Sequence, residues 1–431
     1  AQNNLSTLNH PFRTDYTQTF ESGTTFSLGY SSLRQSTNNA FTTFNPAYNT
    51  GMQFGVVQPL LRNRGSRITK IPIMLAQGRL RIGQTQLTDQ ILRLINFAEL
   101  AYWDAIQARE SLAVQTESLR LREEALKRAQ RELELGALSP LDIYQPQAEY
   151  ASAEVLVTQA KFLLERRLDA VRRQIGADLD PQYRNVPIVL TEPVLPPTDT
   201  ANYEAELLVE KALRIRPDLD ATRLALGLDD LRIEQATNGL RPEFNLSAGY
   251  TTNGRGGTFI PRPTDIIPGE SGRMTALPIP GGIGDALSQM FGFNFPTYSM
   301  SLTLRLPIRD RRAAADLADA LVTKKLDAYQ VRALEQQVRL EVLNALNDVE
   351  SAKASVQQAI IARDFAQKRV EAEQKKYELG TTVLFFVLDA QTQLIRAENE
   401  VVNQSIAYRR SMVNLLRVTG DLLDERGITI D

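Results

Sequence analysis

Cysteine is absent from the 431 residues. Disulfide frameworks, thiolate metal sites and cysteine nucleophiles are therefore excluded, and so is a lipidated N-terminal cysteine in this sequence. Histidine occurs once, at His10, in a polar stretch that reads as a solvated loop, because chain termini are commonly unanchored. An excess of one charge is also missing: 49 Lys and Arg stand against 51 Asp and Glu, a formal net charge of -2. Phosphate-backbone binders show a clear basic excess, so no nucleic-acid partner is expected. No apolar run approaches the roughly 18 to 20 residues of a membrane-spanning helix. The opening AQNNLSTLNH lacks the features of a signal peptide, which suggests a mature, truncated or cytosolic chain. Catalytic constellations are lacking too. No triad, metal cluster or convincing acid pair stands out, so neither an enzyme nor a cofactor is expected.

What is present is a duplication. Gly136 and Gly380, Gln147 and Gln391, Glu154 and Glu398, Arg166 and Arg410, Arg173 and Arg417, and Gly176 and Gly420 keep a constant offset of 244 residues. PLLRNR at 59–64 answers PIRDRR at 307–312 at a slightly different offset. Two copies at so long a period mark a duplicated half, not a solenoid of short repeats.

Each copy opens with two segments of period-two alternation, the signature of strands. In the first, Phe26, Leu28 and Tyr30 alternate with Ser27, Gly29 and Ser31, and Met52, Phe54 and Val56 alternate with Gln53 and Gly55. In the second, Phe244, Leu246 and Tyr250 share a face with Ala248, and Tyr298, Met300, Leu302 and Leu304 alternate with Ser299, Ser301 and Thr303. A water-soluble sandwich strand is the usual reading of such a pattern. Here the polar faces are Ser, Thr, Gly and Asn, with aromatics near strand ends, which fits a lipid-facing barrel wall. Four strands cannot close a barrel and lipid does not tolerate open edges, so several chains would have to share one.

Long helices follow. Residues 73–135 and 310–379 contain no proline. Helices of that length would reach about 100 Å. Ile91, Ala98, Ala105, Leu112, Leu119, Leu126 and Leu133 recur every seventh residue. The second copy carries two seams: Val331, Val338, Ala345, Ala352, Ala359 and Ala366, and Val342, Val349, Val356 and Val370. Heptad seams imply supercoiled packing, and two per helix suit a ring of helices. Gly136 and Gly380 stand where C-terminal glycines end helices, and return helices follow.

The sequence thus predicts a first repeat over 1–176, with strands about 24–33 and 51–61, a long helix about 65–135 and a return helix about 141–175. A linker over 177–238 holds short helices at about 203–214 and 217–238, the latter opening on Pro217. The second repeat, 239–420, has strands about 243–252 and 297–308, an external loop over 253–296, a long helix about 310–379 and a return helix about 385–419. A tail covers 421–431.

In its order of motifs the chain resembles the TolC-like outer membrane efflux proteins over nearly its whole length. The motifs are ALRIRPDLDATRLAL (212–226), GLRPEFNLSAGY (239–250), AELAYWDAI (98–106), and both glycine turns with their downstream QAEYASAE and QTQLIRAENE. The resemblance implies a mixed α and β membrane protein. It would be a homotrimer whose 12-stranded β-barrel, four strands per chain, is continued by a coiled-coil α-helical barrel forming a periplasmic tunnel. It further implies a passive exit duct in the outer membrane, in contact with its lipid and extending into the periplasm. Such a duct serves a tripartite efflux pump or type I secretion system and is gated at its periplasmic tip. A periplasmic adaptor would open it and couple it to an inner-membrane transporter.

The adaptor-docking tips would then be Gly136, Ala137, Leu138, Ser139, Pro140 and Leu141, and Gly380, Thr381, Thr382, Val383, Leu384 and Phe385. The family's pore-facing acids fall six and nine places after the second glycine, where this chain has Phe386 and Asp389. Asp389 matches and Phe386 does not, although Asp142 holds the equivalent place in the first copy. The channel constriction is expected at Phe386 and Asp389, as an apolar ring beside one carboxylate ring.

Other features have plainer readings. Arg62, Arg64, Arg67 and Lys70, echoed by Arg305, Arg309, Arg311 and Arg312, suit either lipid headgroups or salt bridges. IPGGIGDALSQMFGF (279–293) reads as a small amphipathic helix or a mobile loop. NGRGGTF lacks the Lys-Ser/Thr ending of a phosphate loop. Trp103 reads as packing. A structural coiled-coil scaffold without transport is the competing class, but it has no use for duplicated lipid-ready strands.

Overall fold

The structure, a computed structural model, describes residues 4–39, 41–136, 139–195, 203–260 and 279–429. Their elements are β1 (Thr7–Thr19), β2 (Thr25–Thr37), β3 (Phe44–Pro59), α1 (Ser66–Glu134), α2 (Tyr144–Gln174), α3 (Ala205–Ile215), α4 (Pro217–Gly239), β4 (Glu243–Phe259), α5 (Ile283–Phe291), β5 (Pro296–Arg305), α6 (Arg311–Glu378), α7 (Leu384–Thr419) and α8 (Leu422–Glu425). They fall into two compact units, Ala1–Arg79 with Ala225–Leu326, and Leu80–Leu224 with Asp327–Asp431.

The first unit is built on one antiparallel sheet of order β1-β2-β3-β4-β5. The expectation of four strands per chain is corrected to five among the described residues. The added strand is β1, which pairs with β2 from Thr7↔Thr37 to Thr19↔Thr25. Its large apolar residues Leu8, Phe12 and Tyr16 are four apart, with His10 and Thr14 between them, so its hydrophobic alternation is weak. The backbone ladder to β2 makes it a strand regardless. His10 is therefore an exposed strand residue opposite Arg34, not part of a loop.

A second correction concerns 253–296. β4 runs on to Phe259, because GRGG offers no apolar alternation to a sequence reading yet pairs with β3 through Gly257. Within IPGGIGDALSQMFGF the helix α5 forms and packs on β4. Residues 261–278 of that loop lie outside the described residues. The basic residues at the strand-to-helix junctions include paired ones: Arg67 with Glu234 at 2.6 Å, Lys70 with Glu21 at 2.7 Å and Arg305 with Glu243 at 3.1 Å.

α1 includes Pro72 early in its course, where the missing N–H removes one hydrogen bond without ending the helix. No described helix is long and apolar enough to cross a membrane.

The second unit is helical. Val338, Val342, Ala345, Val349 and Val356 of α6 pack against Tyr408, Leu415 and Val418 of α7 and against Val209 and Ala212 of α3. Burying each such valine is worth about 1.5 kcal/mol or more. Leu92, Trp103 and Ile106 of α1 pack with Ile406 and Val413 of α7 and Leu422 of α8. Trp103 lies edge-on to Tyr102 at 5.9 Å, with the Arg409 guanidinium 5.0 Å from its ring centre.

Two polar anchors fix the irregular segment and the short helices. Arg109 donates to the Leu190 and Glu192 carbonyls at 2.6 and 3.1 Å. Arg216, buried between α3 and α4, donates to Asp218 at 2.6 and 3.0 Å and to Glu341 at 2.6 Å. Burial would raise both carboxyls, but the hydrogen bonds and charge of Arg216 outweigh it and hold them below the usual range.

Candidate functional site: two glycine turns and an apolar sheet face

Both turns lie in the helical unit. Gly136 and Gly380 each take φ of +71°, the left-handed conformation that reverses a helix most cheaply when no Cβ is present. At the second turn the Gly380 N–H donates to the Tyr377 carbonyl and the Thr381 N–H to the Lys376 carbonyl, both at 2.9 Å. The Thr381 hydroxyl donates to that Lys376 carbonyl as well, at 2.9 Å. Val383 is extended and α7 starts at Leu384 with no side-chain cap. At the first turn the Gly136 N–H donates to the Leu133 carbonyl at 3.0 Å. Beyond it Ser139 accepts from the Leu141 N–H through its hydroxyl at 3.3 Å and from the Asp142 N–H through its carbonyl at 3.0 Å. Ala137 and Leu138 lie outside the described residues.

Chemically the turns differ. Ser139, Pro140 and Leu141 are exposed, with one large apolar side chain among them. The second turn exposes Val383 (60%), Phe385 (53%) and Phe386 (49%), while Val387 and Leu388 are buried. Phe385 and Phe386 meet edge-on at 5.5 Å. Val370 of α6 packs with Ala390 and Leu394 of α7 just inside the turn. So half of the apolar run closes the α6–α7 hairpin and half stays open.

Asp389 is not a free carboxylate. Arg369 of α6 donates to its Oδ2 at 3.2 Å, Gln393 donates to the same oxygen at 2.9 Å, and Arg369 also bonds Gln393. The sequence reading missed Arg369, although its place at nearly the same distance from Gly380 on the opposite arm was the available signal. It also missed two links between copies. Tyr377 donates to Glu132 at 2.7 Å, each residue lying one helical turn before its glycine. Arg122 is paired with Glu149 and donates to Thr392 at 3.2 Å. Burial, then the Glu132 hydrogen bond, pushes the Tyr377 phenol up to about 12.

In the other unit the register gathers the alternating residues. Residues opposite one another share a face. Phe26↔Val56, Leu28↔Phe54 and Tyr30↔Met52 link β2 to β3. Phe54↔Tyr250 and Val56↔Ala248 link β3 to β4, and Phe244↔Leu304, Leu246↔Leu302, Ala248↔Met300 and Tyr250↔Tyr298 link β4 to β5. The Tyr250 ring lies tilted against Tyr298 at 5.1 Å and against Phe54 at 6.1 Å. All thirteen residues singled out in the sequence as a lipid wall therefore lie on one face. On β5, Tyr298, Met300, Leu302 and Leu304 are all more than half exposed. The opposite face carries Ser27, Gly29, Gln53, Gly55, Asn245, Ser247, Ser299 and Ser301.

An amphipathic sheet and helical hairpins in duplicate match known proteins. Residues 208–421 fit the sequence profile of the family described as outer membrane efflux protein. The chain belongs to this family. Its relatives include outer membrane protein TolC of Vibrio cholerae serotype O1, 21% identical over 332 residues, covering 75% of this chain and 67% of the relative. They also include pyoverdine export outer membrane protein OpmQ of Pseudomonas putida, 22% identical, covering 78% of this chain and 64% of OpmQ. The chain thus spans about two thirds of the length of these relatives, or slightly less. Among solved structures it is similar to the CusC channel, with a TM-score of 0.69 at 14% identity over 96% of this chain and 83% of CusC. The outer membrane protein VceC of Vibrio cholerae gives 0.67 at 14% identity, over 96% and 87%. Family members are outer membrane channels, and this chain is an outer membrane protein.

Proposed function

We propose that three copies of this chain form a passive exit duct across the outer membrane for an efflux pump or type I secretion system. The carrying observation is the sheet's apolar face, Phe26 to Leu304, part-exposed on β2 to β4 and open on β5, in a protein whose helices are otherwise highly charged. That face meets lipid, and the sheets of the three copies join edge to edge around a polar lumen. Five antiparallel strands leave β1 and β5 running in the same direction, so a seam made directly between those two edges is parallel. The helices continue the duct into the periplasm. Leu80, Leu87 and Leu94, exposed at seven-residue spacing on α1, supply a seam for a neighbouring copy.

The turns at Gly136 and Gly380 form the periplasmic tip, where an adaptor docks on Leu141, Val383 and Phe385 and links the duct to an inner-membrane transporter. Phe386 narrows the pore there, with Asp389 one turn behind it. A rigid scaffold has no use for the apolar sheet face. The test is extraction and conductance. The protein should require detergent, run as a trimer and conduct in planar bilayers, with higher single-channel conductance for Phe386→Ala. A monomer soluble without detergent would sink the duct, and unchanged conductance would remove Phe386 from the constriction.

A further inference from the structure

The helix α5 lies on the same face of the sheet as the apolar wall residues. Thr50, Thr252, Gly254 and Gly256 share the parity of Met52 and Tyr250 in the register, and α5 rests on them. The Thr50 hydroxyl donates to the Ala286 carbonyl at 3.1 Å and the Thr252 hydroxyl to the Met290 carbonyl at 3.0 Å. The Arg255 N–H donates to Gln289 at 3.0 Å. The glycines are what let the helix approach. A Cβ on Gly254 would stand 1.8 Å from the Ala286 carbonyl oxygen, and one on Gly256 would stand 2.1 Å from that of Gly282. These are backbone atoms, so no rotamer change could relieve them. The stretch NGRGG is a seat for a helix.

Ala286 and Met290 fill that seat and are fully buried. Ile283, Leu287 and Phe291 follow one another at four-residue spacing along the flank of α5, with Ile283 and Phe291 exposed. Phe293 continues the ridge and touches Tyr250 at 6.0 Å, joining it to the wall's aromatic cluster. The one charged side chain in α5, Asp285, is turned back onto the Gly282 N–H at 2.7 Å. The position along the strand is equally specific. Glu243 pairs with Arg305 at the end from which α1 and α6 depart, and Gly254 stands eleven residues further on. At about 3.4 Å per residue and a tilt of about 40°, that is roughly 28 Å, just beyond a lipid-facing band of about 25 Å.

We propose that α5 is an interfacial helix, clamped on the lipid side of the wall at its outer rim, and that Ile283, Leu287, Phe291 and Phe293 insert into the acyl chains of the outer leaflet. The inference rests on the reading of the apolar sheet face as lipid-facing. Its logic is that of an amphipathic helix lying in the interface plane, held here by protein on one side and bilayer on the other. The ridge widens the apolar band where the strands turn to glycine and have no side chains to offer lipid.

Tryptophan quenching in phospholipid vesicles tests this in the full chain, whose one native tryptophan, Trp103, is buried and sets the background. Phe291→Trp, Leu302→Trp and Ser301→Trp are compared, with brominated phospholipid and aqueous iodide as quenchers. The expected result is that Phe291→Trp and Leu302→Trp lose fluorescence to brominated lipid to a similar degree, and Ser301→Trp does not. Adding Gly254→Leu should then abolish lipid quenching at position 291 while leaving that at 302 unchanged. If Phe291→Trp is quenched by iodide alone, or shielded from both quenchers by a neighbouring chain, while Leu302→Trp still meets lipid, the inference is overturned and the wall stands. If Ser301→Trp meets lipid and Leu302→Trp does not, the wall reading itself fails.

Discussion

The turn at Gly136 and the turn at Gly380 reverse their helices with the same φ, +71°, yet they are held and dressed differently. Behind Gly380 the hairpin closes on Val370, Ala390 and Leu394, and an Arg369–Asp389–Gln393 cluster bridges its arms. Behind Gly136 the bridge is Arg122 to Glu149, and Arg122 reaches on to Thr392 of the other copy. Gln145 stands where the second copy has Asp389, and Asp142 where it has Phe386. Duplication has kept the backbone reversal and let the side chains diverge. Among the described residues the second turn presents two phenylalanines, and the first Ser139, Pro140 and Leu141. In a trimer such turns make two kinds of site in alternation.

A change remote from both turns sets the scale. Arg216→Met leaves Asp218 and Glu341 facing one another half-buried, and should cost about 3 kcal/mol or more in thermal unfolding. Because both carboxyls are held below their usual range, the stability they contribute is present above the unfolded carboxylate pKa of about 4 and lost as pH falls through the lower folded values. The parent protein should therefore lose stability on acidification below about pH 4 more steeply than Arg216→Met; parallel pH curves would deny the pairing any role.

Next come the glycines. Gly136→Val and Gly380→Val should each cost roughly 1 to 2 kcal/mol, because a left-handed β-branched residue is strained at either site. Unequal losses would show that the surroundings, and not the shared φ, decide the turn.

Tyr377→Phe removes the hydrogen bond that joins the two copies at Glu132 and should cost about 1 kcal/mol. With the phenol pushed up to about 12, this contribution holds below the ordinary tyrosine value and is lost as pH rises towards 12. Alkaline difference spectra of the parent and Tyr377→Phe should show this tyrosine ionising late.

Arg369→Gln should change stability least, under about 1 kcal/mol, since both partners are well exposed. It frees the Asp389 charge, so cation selectivity measured by reversal potential should rise. No change would place Asp389 away from the pore. Arg122→Gln, the counterpart at the first turn, should leave selectivity as it was.

Much of this was legible in the residues, for reasons that differ by region. The strands around Phe26, Phe54, Leu246 and Leu302 could be read because a two-residue period survives without knowledge of the partner strand. Both glycine turns could be read because only glycine takes that φ cheaply at a helix end. β1 could not be read with the same rule. Its pairing is a backbone property of β2's free edge, and Leu8, Phe12 and Tyr16 alone do not announce it. The stretch NGRGG looked like loop because its meaning depends on Ala286 and Gly282, some thirty residues away in sequence. Likewise Asp389 was singled out only through the resemblance to the TolC-like family, and its partner Arg369 belongs to the opposite arm of the hairpin.

The sequence by itself determined the periods: alternation for strands, heptads for helices, and a repeat at 244 residues. These are local, since a backbone of fixed geometry turns residue spacing directly into faces. Only the tertiary structure decided which faces meet. It chose the fifth strand, the seat for α5, and the arginine that neutralises Asp389. Such choices depend on distances between segments remote in the chain, and no local period encodes them.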